Sequence, residues 1–273
     1  VDQMASIAAQ RAIGPTSVQM MAHVTIAGGE IVGRWGLDAN LMWREPGDVR
    51  LRLNRPPPVT IRQFLQCDGW TTILYDQEGL YFRGPTETLD PSIRRNMPTD
   101  ASSLVAVPLI DEIFAQRLPD LRPVGRPEGS CWRRHTFLRG DPSDAEDPWW
   151  RTFEEEIWAI RPDTLTVEGL ALRLPPMNGG DSLWLWITLD AYTAFDVTEE
   201  GGGVPSEEGL VLPSEFRLAL VERPWRRWRR GEIWSVSGEV NRILLNRRFA
   251  DQVFDLPPPR GAEIHALWQL RMR

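Results

Sequence analysis

Short apolar runs separated by turn residues dominate the first third of the chain. The runs cover residues 18–27, 30–44, 49–54, 59–67, 70–75 and 79–83, with Gly28-Gly29, Glu45-Pro46-Gly47-Asp48 and Asp68-Gly69 among the turns between them. Strands that recur roughly every 8 to 12 residues, with hairpin turns between them, are typical of a meandering antiparallel sheet. The pattern therefore predicts a mainly β protein.

Two segments have helical spacing instead. Asp2 can cap a helix over residues 2–13, which Gly14-Pro15 would end. Between residues 102 and 118 the apolar positions fit one helical face, and Pro108 forces a break or a second start. We expect this second segment to form a helical lid insertion at about residues 100–118.

The second half of the chain returns to strands. The predicted strands are residues 131–138, 164–174, 182–196, 215–222, 230–236, 242–246 and 263–271. Within residues 183–190, leucine and isoleucine alternate with tryptophan, threonine and aspartate, which places large apolar groups on both faces of the sheet. We interpret residues 140–156 as a loop that leads into a short helix, and residues 199–209 as a loop.

No linker divides the chain into two parts with separate cores. Roughly eleven strands with a helical insertion therefore suit one strongly curved antiparallel sheet, or half-open β-barrel, better than two sandwiches. We expect a single domain over residues 1–273, of the α+β class, with helices covering the concave side. A gap between sheet and helices would be a ligand cavity.

Charge and cysteine content restrict the partners. A net charge of -7 argues against a nucleic-acid-binding surface. Cys67 and Cys131 are too few for a disulfide framework, and either a pair or two free thiols is compatible with the sequence. No apolar run reaches the roughly 18 residues needed to cross a bilayer, which predicts a soluble chain. Because the chain begins at Val1, we expect that an upstream segment has been removed, and a secretory signal or a lipid-modified cysteine is a candidate for its content.

Three groups of short motifs, in the same order along the chain, resemble the LolA/LolB family of bacterial lipoprotein carriers and their lipoprotein relatives. The first joins Ile31-Val32-Gly33-Arg34-Trp35 to residues 48–53, the second is residues 66–76 with an Asp68-Gly69 turn, and the third joins residues 212–216, 246–249 and 254–261. The resemblance spans about residues 18–267. Relative to the compact carriers, residues about 125–164 and 199–212 look like loop insertions.

The resemblance implies a cell-envelope protein, periplasmic or anchored in the outer membrane. Its ligand would be lipid or the acyl chains of lipoproteins, held in an apolar cup during lipoprotein sorting or transport. It implies a monomer that needs no cofactor. The alternative is a non-catalytic structural or interaction lipoprotein of the same fold with a filled core.

The expected cavity wall consists of apolar residues on the early strands and on the lid segment: Trp35, Leu37, Leu51, Leu53, Ile61, Phe64, Leu104, Leu109, Ile113 and Phe114. Ordinary filled core is the alternative, because alternation cannot separate the two. In the family an arginine near the mouth of the cup holds the lid by hydrogen bonds, and the resemblance implies this role for Arg50 or Arg52. A plain surface arginine is the alternative for each.

Tryptophan and arginine are concentrated in residues 223–230. Here Trp225 and Trp228 can lie at the headgroup level of a membrane while Arg226 and Arg227 contact phosphates. An arginine-rich hairpin turn that balances the acidic remainder of the chain is an equal alternative. A membrane surface is therefore one possible partner.

We expect no metal site and no catalytic site. Asp141, Asp144, Glu146 and Asp147 lack the spacing of a calcium loop, so a solvated loop is favoured. The run 154–156 is interpreted as solvent-facing glutamates, and the three histidines lack a nucleophile elbow. A hydrolase would need two acids of residues 140–156 in one cleft. The sequence thus predicts a protein that is not an enzyme.

Overall fold

A computed structural model of the chain describes residues 15–28, 31–56, 59–89, 104–118, 121–124, 130–135, 155–161, 164, 166–174, 183–195, 210–222 and 232–270. The expected N-terminal helix over residues 2–13 lies outside the described residues. So do residues 140–154 of one expected loop and the whole of the other, residues 199–209.

The described strands form one sheet of fourteen strands. In chain order they are β1 (Ser17–Gly28), β2 (Ile31–Arg44), β3 (Asp48–Arg55), β4 (Val59–Cys67), β5 (Trp70–Tyr75), β6 (Leu80–Pro85), β7 (Arg122–Val124), β8 (Ser130–His135), β9 (Glu155–Ile160), β10 (Val167–Arg173), β11 (Trp184–Phe195), β12 (Leu210–Val221), β13 (Glu232–Leu245) and β14 (Glu263–Ala266). One α-helix, α1 (Ile110–Arg117), lies between β6 and β7. The predicted mainly β class is confirmed.

Strand β1 joins two meanders into this one sheet. The order across the sheet is β14-β6-β5-β4-β3-β2-β1-β13-β12-β11-β10-β9-β8-β7, so β1 pairs with β2 on one side and with β13 on the other. Neighbouring strands are antiparallel except β14 and β6, which are parallel. The edge strands β14 and β7 do not pair, and the sheet is open rather than closed into a barrel.

The two faces of the sheet differ in polarity. Because successive residues of a strand point to opposite faces, Val18, Met20, Val24 and Ile26 of β1 share one face, and each is 2% exposed or less. We call this the inner face, since the residues of α1 belong to the same buried cluster. The opposite, outer face carries polar residues over much of β1 and β9–β13, including the exposed His23 of β1.

The strand count exceeds the roughly eleven expected because β7 and β9 were not predicted as strands. All six residues of β9 are buried, so the segment lacks the alternation that marks a half-exposed strand, and its start was expected to lie in a loop that leads into a short helix. In the opposite direction, the predicted strands 230–236 and 242–246 are one continuous strand, β13, because no turn interrupts it at Gly238. The helix α1 begins two residues after Pro108, which agrees with a second start at that proline.

The C-terminal residues 246–270 hold the β3–β6 half of the sheet from both faces. Phe254 and Leu256 are buried on the outer face in a cluster with Leu65, Leu74 and Tyr81, and the Tyr81 hydroxyl donates to the Leu256 carbonyl at 2.8 Å. Beyond β14 the chain reaches the inner cluster through Leu267 and Leu270. Among the described residues, no helix is long and apolar enough to span a membrane.

The close approach of Phe216 to Gly238 gives a prediction for stability. A Cβ on Gly238 would lie 2.3 Å from Cζ of the buried Phe216 ring. We expect Gly238→Ala to lower the free energy of unfolding by about 1–3 kcal/mol, as overpacking of a core does. Gly47→Ala, where no atom lies within 4 Å of the new Cβ, is the control in urea denaturation. Equal stabilities of the two variants would mean that the ring does not occupy this position.

Candidate functional site

The candidate site is the inner face of the sheet together with the segment 104–118 that covers it. Ile110, Ile113 and Phe114 of α1 are 3% exposed or less, and they lie in one cluster with inner-face residues of both meanders. The first turn of α1 has no side-chain cap. A helix of eight residues is marginal by itself in water, so packing on the inner face is what stabilises it.

Most of the predicted cavity-wall residues meet at this interface. Eight of them are buried members of the one inner cluster: Leu37, Leu51, Leu53, Phe64, Leu104, Leu109, Ile113 and Phe114. Ile61 is half-buried and packs against that cluster. The early strands and the lid segment therefore contribute to one continuous buried cluster.

Trp35 differs from the rest of this set because it is 51% exposed. It pairs with the buried Ile26 across β1 and β2, and it is two residues from the buried Leu37, so all three lie on the inner face. The pairing of β2 with β3 stops at Asp38–Asn54, so Trp35 extends beyond the end of β3. The side chain thus lies at the rim of the inner face rather than in its wall.

A buried ion pair holds the end of α1 to the sheet. Arg117 Nε of the last helical turn lies 3.4 Å from Glu156 Oε1 of β9, and these side chains are 8% and 2% exposed. Trp158 Nε1 donates to Glu156 Oε2 at 3.3 Å, and the Trp158 ring lies 5.3 Å from that of Phe114. Phe114 and Trp158 belong to the inner cluster, so this ion pair lies beside apolar side chains.

The sequence-based interpretation of residues 154–156 as solvent-facing is wrong for Glu155 and Glu156. They are 6% and 1% exposed, because both belong to a strand that is buried on its two faces. The available signal was the spacing of Glu156, Trp158 and Ile160, which places the glutamate on the same face as two large apolar residues. Arg117, which the sequence analysis did not identify, is the arginine that joins the lid segment to the sheet.

Arg50 and Arg52 lie on the outer face, because they alternate with the buried Val49, Leu51 and Leu53. Arg50 donates from Nη1 to the Val253 carbonyl and from Nη2 to Gln63 Oε1 at 2.9 Å. Burial and the neighbouring Arg52 guanidinium lower the pKa of Arg50. The described contacts of Arg50 thus fix the C-terminal segment rather than the helix. Trp225, Arg226, Arg227 and Trp228 lie outside the described residues.

One group of side chains is close enough to share a metal ion among the described residues: Asp48, Cys67 and Asp68. Asp48 already accepts a hydrogen bond from Arg44 Nε at 2.9 Å. Burial, followed by hydrogen bonds from the thiol to Asp48 and Asp68, raises the pKa of Cys67 to about 12. A thiol must lose its proton to bind a metal, so this arrangement favours a protonated Cys67 thiol over a metal ligand.

No protein-family model matches the sequence, and the search among curated proteins gives no match. A DUF1329 family protein from Desulfovibrio piger superposes with a TM-score of 0.54 at 11% identity, over 96% of this chain and 97% of that one. A domain assigned as an outer membrane lipoprotein-sorting protein, from Vibrio parahaemolyticus, gives 0.50 at 9% identity over 93% and 95%. The chain has a LolA/LolB-like fold. A LolA superfamily protein from Nitrosomonas europaea gives 0.48 at 8% identity over 93% and 97%.

At these identities the likeness establishes the fold alone. The LolA/LolB-like fold accounts for the open sheet and for the helix on its inner face. The motif resemblance predicted this fold, and the prediction of the fold is confirmed. The buried pair between Arg117 and Glu156 is a property of this chain's own residues.

The buried ion pair gives a prediction for stability. Removing one partner leaves a charge in an apolar interface, so we expect Arg117→Met or Glu156→Leu to cost about 3–5 kcal/mol of unfolding free energy. The double variant removes both charges and should cost less than either single change. Urea denaturation of the four proteins forms a double-mutant cycle. If the loss of unfolding free energy in the double variant equalled the sum of the losses in the two single variants, the two side chains would not act as a pair.

The raised pKa of Cys67 gives a prediction for reactivity. In a Cys131→Ser background, thiol modification by Ellman's reagent at pH 8 should be on the order of 10²–10³ times slower than for an unfolded peptide of residues 64–70, because only the thiolate reacts. The rate should still rise at pH 10, and urea should abolish the difference. A native rate within tenfold of that of the peptide would contradict the assigned environment.

Proposed function

We propose that the protein binds lipid, or the acyl chains of lipoproteins, between the inner face of the sheet and the segment 104–118. The observation that supports this most directly is that an apolar segment containing a helix of eight residues covers the apolar face of an open sheet. Such a cover contributes no strand pairing, so it can be displaced while the sheet stays intact. We further propose the cell envelope as the location, since one structural neighbour is assigned to outer membrane lipoprotein sorting.

The burial free energy that α1 loses when it leaves the inner face is similar to the burial free energy that an acyl chain gains there. Burial of a side chain such as Ile110, Ile113 or Phe114 contributes about 1.5–3 kcal/mol, and burial of one methylene about 0.8 kcal/mol. Roughly six to eleven methylenes therefore replace what these three side chains lose when the helix moves away. A common fatty acyl chain is long enough to supply them. Contacts of this kind need no specific polar partner and no cofactor.

Trp35 supports an entrance at one end of the inner face. An indole that is half exposed beside buried apolar residues can contact both a hydrocarbon chain and water. Its position past the end of β3 leaves it open to a ligand that arrives from a membrane surface. We assign Trp35 to ligand entry, and the buried members of the predicted wall to ligand contact after the helix moves.

The test is displacement of cis-parinaric acid, a fluorescent fatty acid, from the purified protein. We expect saturable binding by the wild type and at least tenfold weaker binding by Leu109→Glu, because a carboxylate would enter the apolar interface. Gln116→Glu is the matched control, since it adds the same charge at an exposed position of α1. It replaces a hydrogen bond to Glu112 by a like-charge contact that costs only about 0.2–0.5 kcal/mol, so it should bind within twofold of the wild type. Circular dichroism must show the same fold for all three.

A further variant keeps the test valid if Leu109→Glu fails to fold. Phe114→Ala removes a ring from the interface without adding charge, so the enlarged apolar space should hold the probe at least as tightly as the wild type does. Lipid adducts in native mass spectra of the gently purified protein would agree with binding. Absence of saturable binding by both proteins would reject the proposed function.

The second candidate is an interaction protein of the same fold whose inner face is permanently filled. It is favoured by one observation, which is that eight of the ten predicted wall residues are 5% exposed or less and pack together in the structure. This protein would give no signal with the fatty-acid probe. It would also keep the α1 amides protected from hydrogen exchange in the presence of lipid vesicles, whereas a carrier would lose that protection.

A further inference from the structure

The outer face carries a groove that the proposed function does not use. It has a volume of about 860 Å³, and it crosses β1 and β9–β13 on the side opposite to α1. Its polar walls are formed mainly by His23, Arg161, Asp190, Glu215, Arg217 and Glu239. The outer cluster of the C-terminal segment, which packs on β4–β6, does not include these residues.

Four acidic side chains and His23 form a row across five neighbouring strands, and all of them except Asp38 line this groove. The strand registers pair Asp38 with His23, His23 with Glu239, Glu239 with Glu215, and Glu215 with Asp190. Like charges directly opposite each other on a sheet are destabilising. The facing pair of Glu215 and Glu239 therefore has a cost in the free protein, which a bound cation would relieve.

The described cations leave the pair of Glu215 and Glu239 uncompensated. Arg161 Nη2 lies 3.5 Å from Asp190 and 3.8 Å from Glu168, so one guanidinium serves two carboxylates. Arg217 is paired at 2.7 Å with Glu232, which is not part of the groove wall. In the part of the chain that the structure describes, no arginine or histidine forms a salt bridge with Glu215 or Glu239.

The spacing of the row favours an extended ligand over a metal ion. Among the described residues, three or more side chains close enough to share one metal ion occur only at Cys67, so no three of the groove carboxylates can do so. Neighbouring strands are about 4.8 Å apart, and the row therefore spans roughly 19 Å, which is the length of about six residues of extended peptide. Guanidinium and ammonium groups on such a peptide match carboxylates that are separated along a line.

We propose that this groove binds an extended segment of a partner protein that carries several arginine or lysine residues. Charge complementarity identifies the occupant, because the groove wall has four carboxylates, those of Glu168, Asp190, Glu215 and Glu239, against two guanidiniums. The partner contacts the outer face. The proposal therefore stands whether or not the inner face binds an acyl chain.

The test uses fluorescein-labelled hexa-arginine as the probe and fluorescence anisotropy as the measurement, at low ionic strength. We expect saturable binding that weakens with added salt. The variant Glu215→Gln/Glu239→Gln should bind about tenfold more weakly, since two ion pairs are lost. Its melting temperature should be unchanged or higher, because the facing like charges are gone. Loss of the fold is thus excluded as the cause of weaker binding.

The matched control is Glu78→Gln/Glu87→Gln, which removes two exposed carboxylates outside the groove and should bind within twofold of the wild type. Equal weakening in both double variants would overturn the proposal, because net charge alone would then explain the binding. So would displacement of the probe by spermine at the concentration at which unlabelled peptide displaces it, since the ligand would be a small polyamine. A dimer of the free protein that the Glu215→Gln/Glu239→Gln change dissociates would assign the groove to a second copy instead.

Discussion

The inner face of the sheet is apolar across both meanders, and an open sheet cannot bury such a face against itself. A closed barrel would cover it with its own far wall, but β14 and β7 do not pair. The face is covered instead by the segment 104–118 and, at the β6 edge, by Leu267 and Leu270. Leu267 and Leu270 directly follow β14, which is part of the sheet, whereas the segment 104–118 forms no strand ladder. The sheet is therefore the fixed part of the molecule, and the segment 104–118 is the part that can move.

The ion pair between Arg117 and Glu156 has a different role from the apolar side chains of the inner cluster. Taking two charges out of water costs about as much as their attraction returns, so a buried pair is a weak source of stability. An apolar helix on an apolar face has several positions of similar energy. We interpret the pair, with the Trp158 indole as a second donor to Glu156, as the contact that selects one of them. Burial of Ile110, Ile113 and Phe114 then supplies the free energy that holds α1 on the sheet, and the ion pair fixes the position of α1.

The local patterns of the sequence predicted the sheet well, because each hairpin carries its own turn residues. Asp68 and Gly69 both have positive φ angles, as the Asp-Gly turn between β4 and β5 requires. What could not be predicted depends on contacts between distant segments. Alternation in β3 already separates Arg50 from Leu51, but the partner of Arg50 lies 203 residues away at Val253. Likewise β9 has no alternation because both of its faces are covered, which only the assembled fold determines.

The proposed ligand site and the proposed partner groove lie on opposite faces of the same strands. The Phe216 ring belongs to the inner cluster and packs over Gly238. The side chains that flank these two residues in sequence, Glu215, Arg217, Ser237 and Glu239, line the groove. The ladder between β12 and β13 fixes these two strands from neighbour to neighbour, so a peptide in the groove has no need to move them. A sheet of this kind separates two events that a single cavity would couple. Ligand exchange requires the helix to leave the inner face, and partner binding requires only that the outer face stay exposed.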